Sequence, residues 1–215
     1  MNDRTETRES FDGFIGGAVY DVLARITGYG PAYYRHAAKA LPIQSGMVLA
    51  DLGCGTGSLA IALAGRTGKS GRVIGIDIAE KQLARARLKV AGTNLPIELR
   101  QGSIAENALN DSSVDGISMS QVIHALPDEI RTAMISEAYR ILRPGGFFGL
   151  VEWSRPRFGY SSLIWSLSLQ NHKDSDNWRG TYPKYFSKVG FELISDRYID
   201  SLNRCQIFIK PKVPK

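Results

Sequence analysis

At 215 residues, with 43% hydrophobic and 22% charged side chains, the chain has the size and balance of one globular domain, and no long low-complexity tract or repeat suggests disorder or a solenoid. Its two cysteines, Cys54 and Cys205, lie far apart and form no C-x-x-C pair; this argues against a disulfide framework or a cysteine-rich metal site and suits a reducing compartment. The net charge of +6 attracts anions in general, but the basic residues are spread along the chain, so no nucleic-acid partner is expected.

Met1 to Ser10 is polar and mixed in charge, without the apolar core of a secretory signal. No stretch approaches the ~18 to 20 apolar residues needed to span a bilayer. The expected location is the cytoplasm, and the positive charge leaves room for peripheral contact with the inner membrane face.

Residues 1–42 read as a helical lid, rich in Tyr20, Tyr29, Tyr33 and Tyr34 and broken by Gly28, Gly30 and Pro31. From Met47 short apolar runs alternate with segments of helical period, the pattern of a parallel sheet flanked by helices. Strands are expected at Met47 to Leu52, Arg72 to Ile76, Ile97 to Gln101, Val114 to Met119 and Phe147 to Glu152. Helices are expected at Ser58 to Ala64, Ala79 to Val90 and Asp128 to Leu142. The last carries its apolar stripe on Ile130, Met134, Ile135, Ala138 and Ile141. On the second helix Lys81, Arg85, Arg87 and Lys89 form a modest basic cluster that reads as a solvated face.

The tail departs from strict alternation, with a helix at Tyr182 to Val189 and strands at Phe191 to Arg197 and Cys205 to Ile209. The short linker between these strands suits an antiparallel hairpin, because a parallel crossover needs a dozen or more residues. The expected fold is therefore α/β and Rossmann-like: a seven-stranded, mostly parallel sheet with one antiparallel strand near the C-terminus and helices on both faces. All of 1–215 is expected to form one domain, with a lid (1–42), a cofactor-binding core (43–153), a substrate-side cap (154–180) and a C-terminal helix and hairpin (181–215).

The strongest local pattern is Asp51-Leu52-Gly53-Cys54-Gly55-Thr56-Gly57, which leaves the first strand and opens the first core helix. Alternate glycines allow a tight turn close to a ligand, at a helix N-terminus where partial positive charge gathers. A dinucleotide site has G-x-G-x-x-G, whereas these glycines run G-x-G-x-G behind an acid. Asp51 would repel a pyrophosphate but attract the ammonium end of an amino-acid cofactor. Asp77 ends the second strand about twenty residues beyond the glycines, where a carboxylate accepts both hydroxyls of a ribose; capping the next helix is its alternative role. Ile78 follows it. Gly102-Ser103-Ile104, after the third strand, offers a small polar group for an adenine amino group and an apolar one for its ring. Ser120 and Gln121 end the fourth strand and are placed to meet cofactor or substrate.

Taken together, Asp51 to Gly57, Asp77, Val114 to Pro127, and Leu142-Arg143-Pro144-Gly145-Gly146 resemble the successive motifs of class I S-adenosylmethionine-dependent methyltransferases. The stretch around Phe11-Asp12 and Val19-Tyr20-Asp21-Val22-Leu23 is similar to the opening of the ubiquinone/menaquinone biosynthesis group, and bacterial phosphatidylethanolamine N-methyltransferases begin in a related way. The resemblance implies S-adenosyl-L-methionine as cofactor, S-adenosyl-L-homocysteine as product, and Tyr20 near the methionine end. Its cofactor-binding set is Asp51, Gly53, Cys54, Gly55, Thr56, Gly57, Asp77, Ile78, Gly102, Ser103, Ile104, Ser120 and Gln121.

The match ends near Trp153. Beyond it, Leu163, Ile164, Trp165, Leu167 and Leu169 either line an acceptor pocket, insert at a lipid interface or form a helix core face. A polar stretch, Asn171-His172-Lys173-Asp174, follows. Methyl transfer from a sulfonium needs positioning more than catalytic side chains, so the missing triad, metal-ligand and Walker patterns are no objection. Where the acceptor must lose a proton, His124 is the candidate base, its alternative being to orient the loop. The expected acceptor is a small molecule or lipid-like compound. Two other functions fit the fold: a non-catalytic module that binds the same cofactor, and an NAD-dependent oxidoreductase.

Overall fold

The computed structural model describes residues 18–157 and 175–212. Phe11, Asp12 and the segment from Leu163 to Asp174 lie outside them, as do the side chains of Val19, Tyr20 and Leu23. The chain divides into two compact units, Met1–Asn107 and Ala108–Lys215. The seven strands of the described residues make the mostly parallel α/β sheet that the alternation of elements predicts.

In the first unit, α1 (Ala18–Ile26) and α2 (Pro31–Ala40) precede β1 (Val48–Leu52), α3 (Ser58–Thr67), β2 (Arg72–Asp77), α4 (Glu80–Ala91) and β3 (Ile97–Gln101). Parallel pairing sets Leu52 opposite Ile76 and Asp77 opposite Gln101, in the spatial order β3-β2-β1. Leu49, Ala50, Leu52, Val73, Ile74 and Ile76 are all buried, without alternation, as strands covered on both faces require. On α3 the buried residues Leu59, Ala60, Leu63 and Ala64 repeat at three- and four-residue intervals, which turns one stripe to the core.

The second unit holds β4 (Val114–Ser120), a single 3-10 turn at Ile123–Ala125, α5 (Asp128–Ile141), β5 (Leu142–Trp153), α6 (Asp176–Arg179), α7 (Pro183–Val189), β6 (Glu192–Tyr198) and β7 (Asn203–Ile209). β5 runs parallel to β4 and antiparallel to β7, which is antiparallel to β6. Phe186 stacks on Phe208 at 4.0 Å between ring centroids, with Phe148 and Phe191 edge-on to Phe186. This aromatic cluster is what fixes α7 to the sheet.

The expected antiparallel strand near the C-terminus is β7, inserted between β5 and β6, so β6 forms the edge. Two details differ from the sequence reading. The Arg143-Pro144-Gly145-Gly146 turn belongs to β5, because Gly145 N–H donates to Lys210 O and Lys210 N–H to Gly146 O, which extends the ladder beyond β7. Ile130 is 39% exposed, while Arg131 beside it is buried. The Arg131 guanidinium donates to Asp128, Asp176 and the Leu126 carbonyl and lies over the Tyr182 and Tyr185 rings. A charge so provided for can occupy a core-facing position, with its aliphatic stem packed along the helix.

Candidate functional site

The loop after β1 is built on its own backbone hydrogen bonds. Gly53 and Cys54 N–H both donate to Ile76 O, Gly57 N–H to Cys54 O, and Gly55 N–H to Asp77 Oδ2 at 2.7 Å. These four amides are therefore committed to the protein and not to a ligand phosphate. That is the physical difference from a dinucleotide cradle, whose amides face the pyrophosphate.

Two glycines show why the loop has this composition. Gly57 adopts φ +76, and a Cβ there would come within 3.1 Å of the Ala86 Cβ, so α3 and α4 approach through it. Gly55 adopts φ +51, yet a Cβ there would meet nothing within 4 Å. The space over Gly55 is thus open beside a rigid loop.

Asp77 is held from two sides. Oδ2 accepts from Gly55 N–H, and Oδ1 accepts from Ala79 N–H at 2.9 Å, at the start of α4. The capping role and the ribose role are therefore compatible, since each carboxylate oxygen keeps a further lone pair. Gly102 N–H donates to Asp77 O at 3.0 Å, which ties the third loop to the same point. Ile78, Ser103 and Ile104 are half-buried around it, and Ser103 Oγ accepts from Ala105 N–H.

Asp51, 1% exposed, is the last residue but one of β1. Burial, then the charges of Asp51 and Asp77, push the Cys54 thiol well above its ordinary range, so Cys54 stays protonated and unreactive. The same two carboxylates give the pocket a negative field. Open space over Gly55, a fixed carboxylate for a ribose, half-buried Ile78 and Ile104, and a field that favours cations all fit an adenosyl cofactor with an ammonium and a sulfonium.

The Thr56 side chain takes another direction. Its hydroxyl donates to Asp21 Oδ1 at 2.7 Å and accepts from Lys89 Nζ at 2.8 Å, and Lys89 also reaches Asp21 and Ser58. Arg85 pairs with Asp21 at 3.0 Å. Half of the basic cluster on α4 therefore fastens α1 to the glycine loop, and Arg87 pairs with Glu80 instead. Sequence spacing could not show this, because Asp21 and Lys89 are 68 residues apart. Tyr20 sits on α1 next to that anchor, with its side chain outside the described part.

The second unit gathers a different group of candidates. Gln121 adopts φ +58, unusual for a residue with a side chain, and its Nε2 donates to Asn203 Oδ1 at 2.8 Å. Asn203 is held in turn by Asp200. The 3-10 turn then presents His124, whose side chain is 35% exposed and whose Nδ1 lies 3.0 Å from Glu152 Oε1. Trp153 packs edge-on to the imidazole at 5.8 Å. With Nδ1 donating to the carboxylate, the neutral ring keeps Nε2 as its acceptor.

Burial works to lower the His124 pKa, but the hydrogen bond and charge of Glu152 outweigh it and raise the value above 6.5. Glu152 is 3% exposed, and among the described residues nothing bonds its Oε2. Burial and the Glu152 charge push the neighbouring Tyr182 phenol far up, so it stays neutral and donates to Asn177 Oδ1. In the sequence Glu152 stands only as the end of an apolar strand. A lone acid in the buried run Phe147 to Trp153 was the signal available.

A methyltransferase domain family model matches residues 49–146. The demethylmenaquinone methyltransferase of Lactobacillus johnsonii is 38% identical over 150 residues, covering 68% of this chain and 61% of that protein. Its counterpart from Symbiobacterium thermophilum is 32% identical over 171 residues, covering 75% and 66%. The chain thus spans roughly three fifths to two thirds of the curated relatives it matches.

Among solved structures, a SAM-dependent methyltransferase from Aquifex aeolicus superposes with a TM-score of 0.71 at 18% identity, covering 89% of this chain and 95% of that one. The cyclase SpnF superposes at 0.65 with 16% identity, covering 84% and 80%; such likeness establishes the fold and leaves chemistry to the site. With the ordered motifs, the loop geometry and the relatives in agreement, the chain belongs to the class I S-adenosylmethionine-dependent methyltransferases.

Proposed function

We propose that the chain is an S-adenosylmethionine-dependent methyltransferase that acts on a small, lipid-like acceptor, with a demethylated quinol ring as the first candidate. The observation that carries the cofactor half is Asp77, oriented by the amides of Gly55 and Ala79 beside open space. In this reading Asp77 holds the ribose, Asp51 attracts the ammonium, and Gly102, Ser103, Ile104 and Ile78 bound the adenine. Gly53 to Gly57 shape the wall; Ser120, Gln121 and Tyr20 complete the proposed set. The quinol candidate rests on the similarity to demethylmenaquinone methyltransferases.

When bound, the cofactor supplies a sulfonium-activated methyl group and leaves as S-adenosylhomocysteine. The protein has to position the acceptor carbon and exclude water. A ring carbon becomes nucleophilic when its neighbouring hydroxyl gives up a proton, and His124 Nε2 is our candidate to receive it. Glu152 supports that role by fixing the tautomer and stabilising the imidazolium. No helix of the described residues is long and apolar enough to cross a membrane.

The test offers labelled S-adenosylmethionine to the protein with a demethylated prenyl-naphthoquinol, an ethanolamine phospholipid and a panel of small phenols, amines and thiols. Label in the quinol supports the full reading; label in another acceptor keeps the enzyme and replaces the substrate. Tight adenosyl binding without transfer to any of them would favour the non-catalytic module.

A further inference from the structure

Apart from the candidate cofactor residues, the first unit holds a cavity of about 570 Å³ bounded by α1, α2, α3 and α4. Among the described residues, six cations line it, Arg25, Arg35, Lys39, Arg66, Arg85 and Lys89, against a single carboxylate, Asp21. That carboxylate is already shared by Arg85 and Lys89. Among the described residues, Arg66 has only a neutral partner, the Ile43 carbonyl at 3.2 Å. Among the described residues, nothing pairs with Arg25, Arg35 or Lys39. Neither Asp51, Asp77 nor any residue of the third loop belongs to the lining.

So many like charges around one space repel each other, and a bound anion would relieve that repulsion. Lys89 registers the field: burial, then Arg85 and Arg25, hold its pKa below the ordinary lysine value despite the Asp21 contact. Arginines match phosphate oxygens in pairs, while a lysine adds a point charge. Ile61, Ala62 and Leu95 supply an apolar wall, and the volume exceeds what inorganic phosphate fills. We propose that this cavity binds the phosphate or diphosphate group of an ester with an apolar remainder. The group could arrive on a free metabolite or as the headgroup of an acidic phospholipid.

The full chain would be titrated with inorganic pyrophosphate by calorimetry at low ionic strength, alongside the double variant Arg35→Gln, Lys39→Gln. Saturable binding of one pyrophosphate, weakened tenfold or more in the variant while S-adenosylhomocysteine affinity stays within twofold, is expected. Sedimentation with phosphatidylglycerol and with phosphatidylcholine vesicles separates the sources. Binding to the former that the variant loses assigns the headgroup; pyrophosphate binding without vesicle binding assigns the free ester. No pyrophosphate binding, or equal binding by both proteins, overturns the site. Neither result bears on methyl transfer, so the two readings fail independently.

Discussion

Asp77 and Glu152 are both acids near the carboxyl ends of core strands, yet they are held in opposite ways. Asp77 has a backbone N–H on each oxygen, one from the glycine loop and one from the next helix. Glu152 has His124 and its neighbour's Trp153 N–H on one oxygen and, among the described residues, no bond to the other. The first arrangement uses only backbone amides, which the glycine loop and the start of α4 present at the ends of two paired strands. The second needs side chains 28 residues apart in sequence and a histidine whose protonation it alters. A carboxylate locked by amides is suited to binding, whereas one that answers to a titrating ring is suited to moving a proton.

The largest effect expected from this contrast is on the binding side. Asp77→Ala removes the acceptor of two amides along with the proposed ribose contact, so S-adenosylhomocysteine affinity should fall by about 2 to 3 kcal/mol, roughly 30- to 150-fold. Calorimetry that found less than a threefold loss would mean that the adenosyl group does not rest on Asp77.

Next come the two glycines, which should separate stability from binding. Gly57→Ala forces φ +76 on a residue with a side chain and drives its Cβ against Ala86, a combined cost of about 2 kcal/mol in urea unfolding. Gly55→Ala pays the left-handed strain alone, about 1 kcal/mol, but its methyl enters the open space and should weaken cofactor binding more than Gly57→Ala does. Equal affinities in the two variants would remove the ligand from the space over Gly55.

The same contrast explains what was legible in the sequence. Asp51, the glycines and Asp77 lie at the ends of strands with clear apolar runs, and Gly102 follows an alternating one; backbone amide bonds between the ends of paired strands then tie these loops together. Strand order in the tail was half legible: the short linker after β6 fixed the hairpin, while the insertion of β7 next to β5 depends on long-range packing of Phe186, Phe191 and Phe208. Arg131 and Glu152 were missed because a buried charge is tolerated only by partners from remote segments, here Asp176 and His124. For Thr56 the motif gives the position but not the direction of the hydroxyl, which bonds Asp21 on α1 and Lys89 on α4.

A smaller effect is expected where α1 is fastened. Burial works to raise the Asp21 carboxyl, but hydrogen bonds from Thr56, Arg85 and Lys89 outweigh it and hold its pKa below the usual value. A lowered pKa means stability that is present above the unfolded value and lost as acid protonates the folded carboxylate. Asp21→Asn should therefore cost about 1 kcal/mol at neutral pH and progressively less in acid. A cost that stayed constant down through the carboxylate range would show that the ion pairs contribute nothing to holding α1.

The subtlest change should come from Glu152→Gln, which separates a catalytic His124 from one that only packs against Trp153. A general base must be neutral, so the rate rises as pH passes the His124 pKa. Burial lowers that pKa and Glu152 raises it by more. Removing the charge leaves burial in control, and the rising limb of kcat against pH should move to lower pH, with little change at the alkaline plateau. Stability should respond with the opposite sense. A raised histidine pKa contributes stability that is complete below the unfolded value and disappears as pH climbs through the folded one, so the variant should lose more stability in mild acid than in mild alkali. Gain of activity and loss of stability over one pH window is a signature that simple loosening of the loop does not produce. An unmoved limb with the same stability loss would leave His124 a structural residue and require the acceptor to arrive already deprotonated.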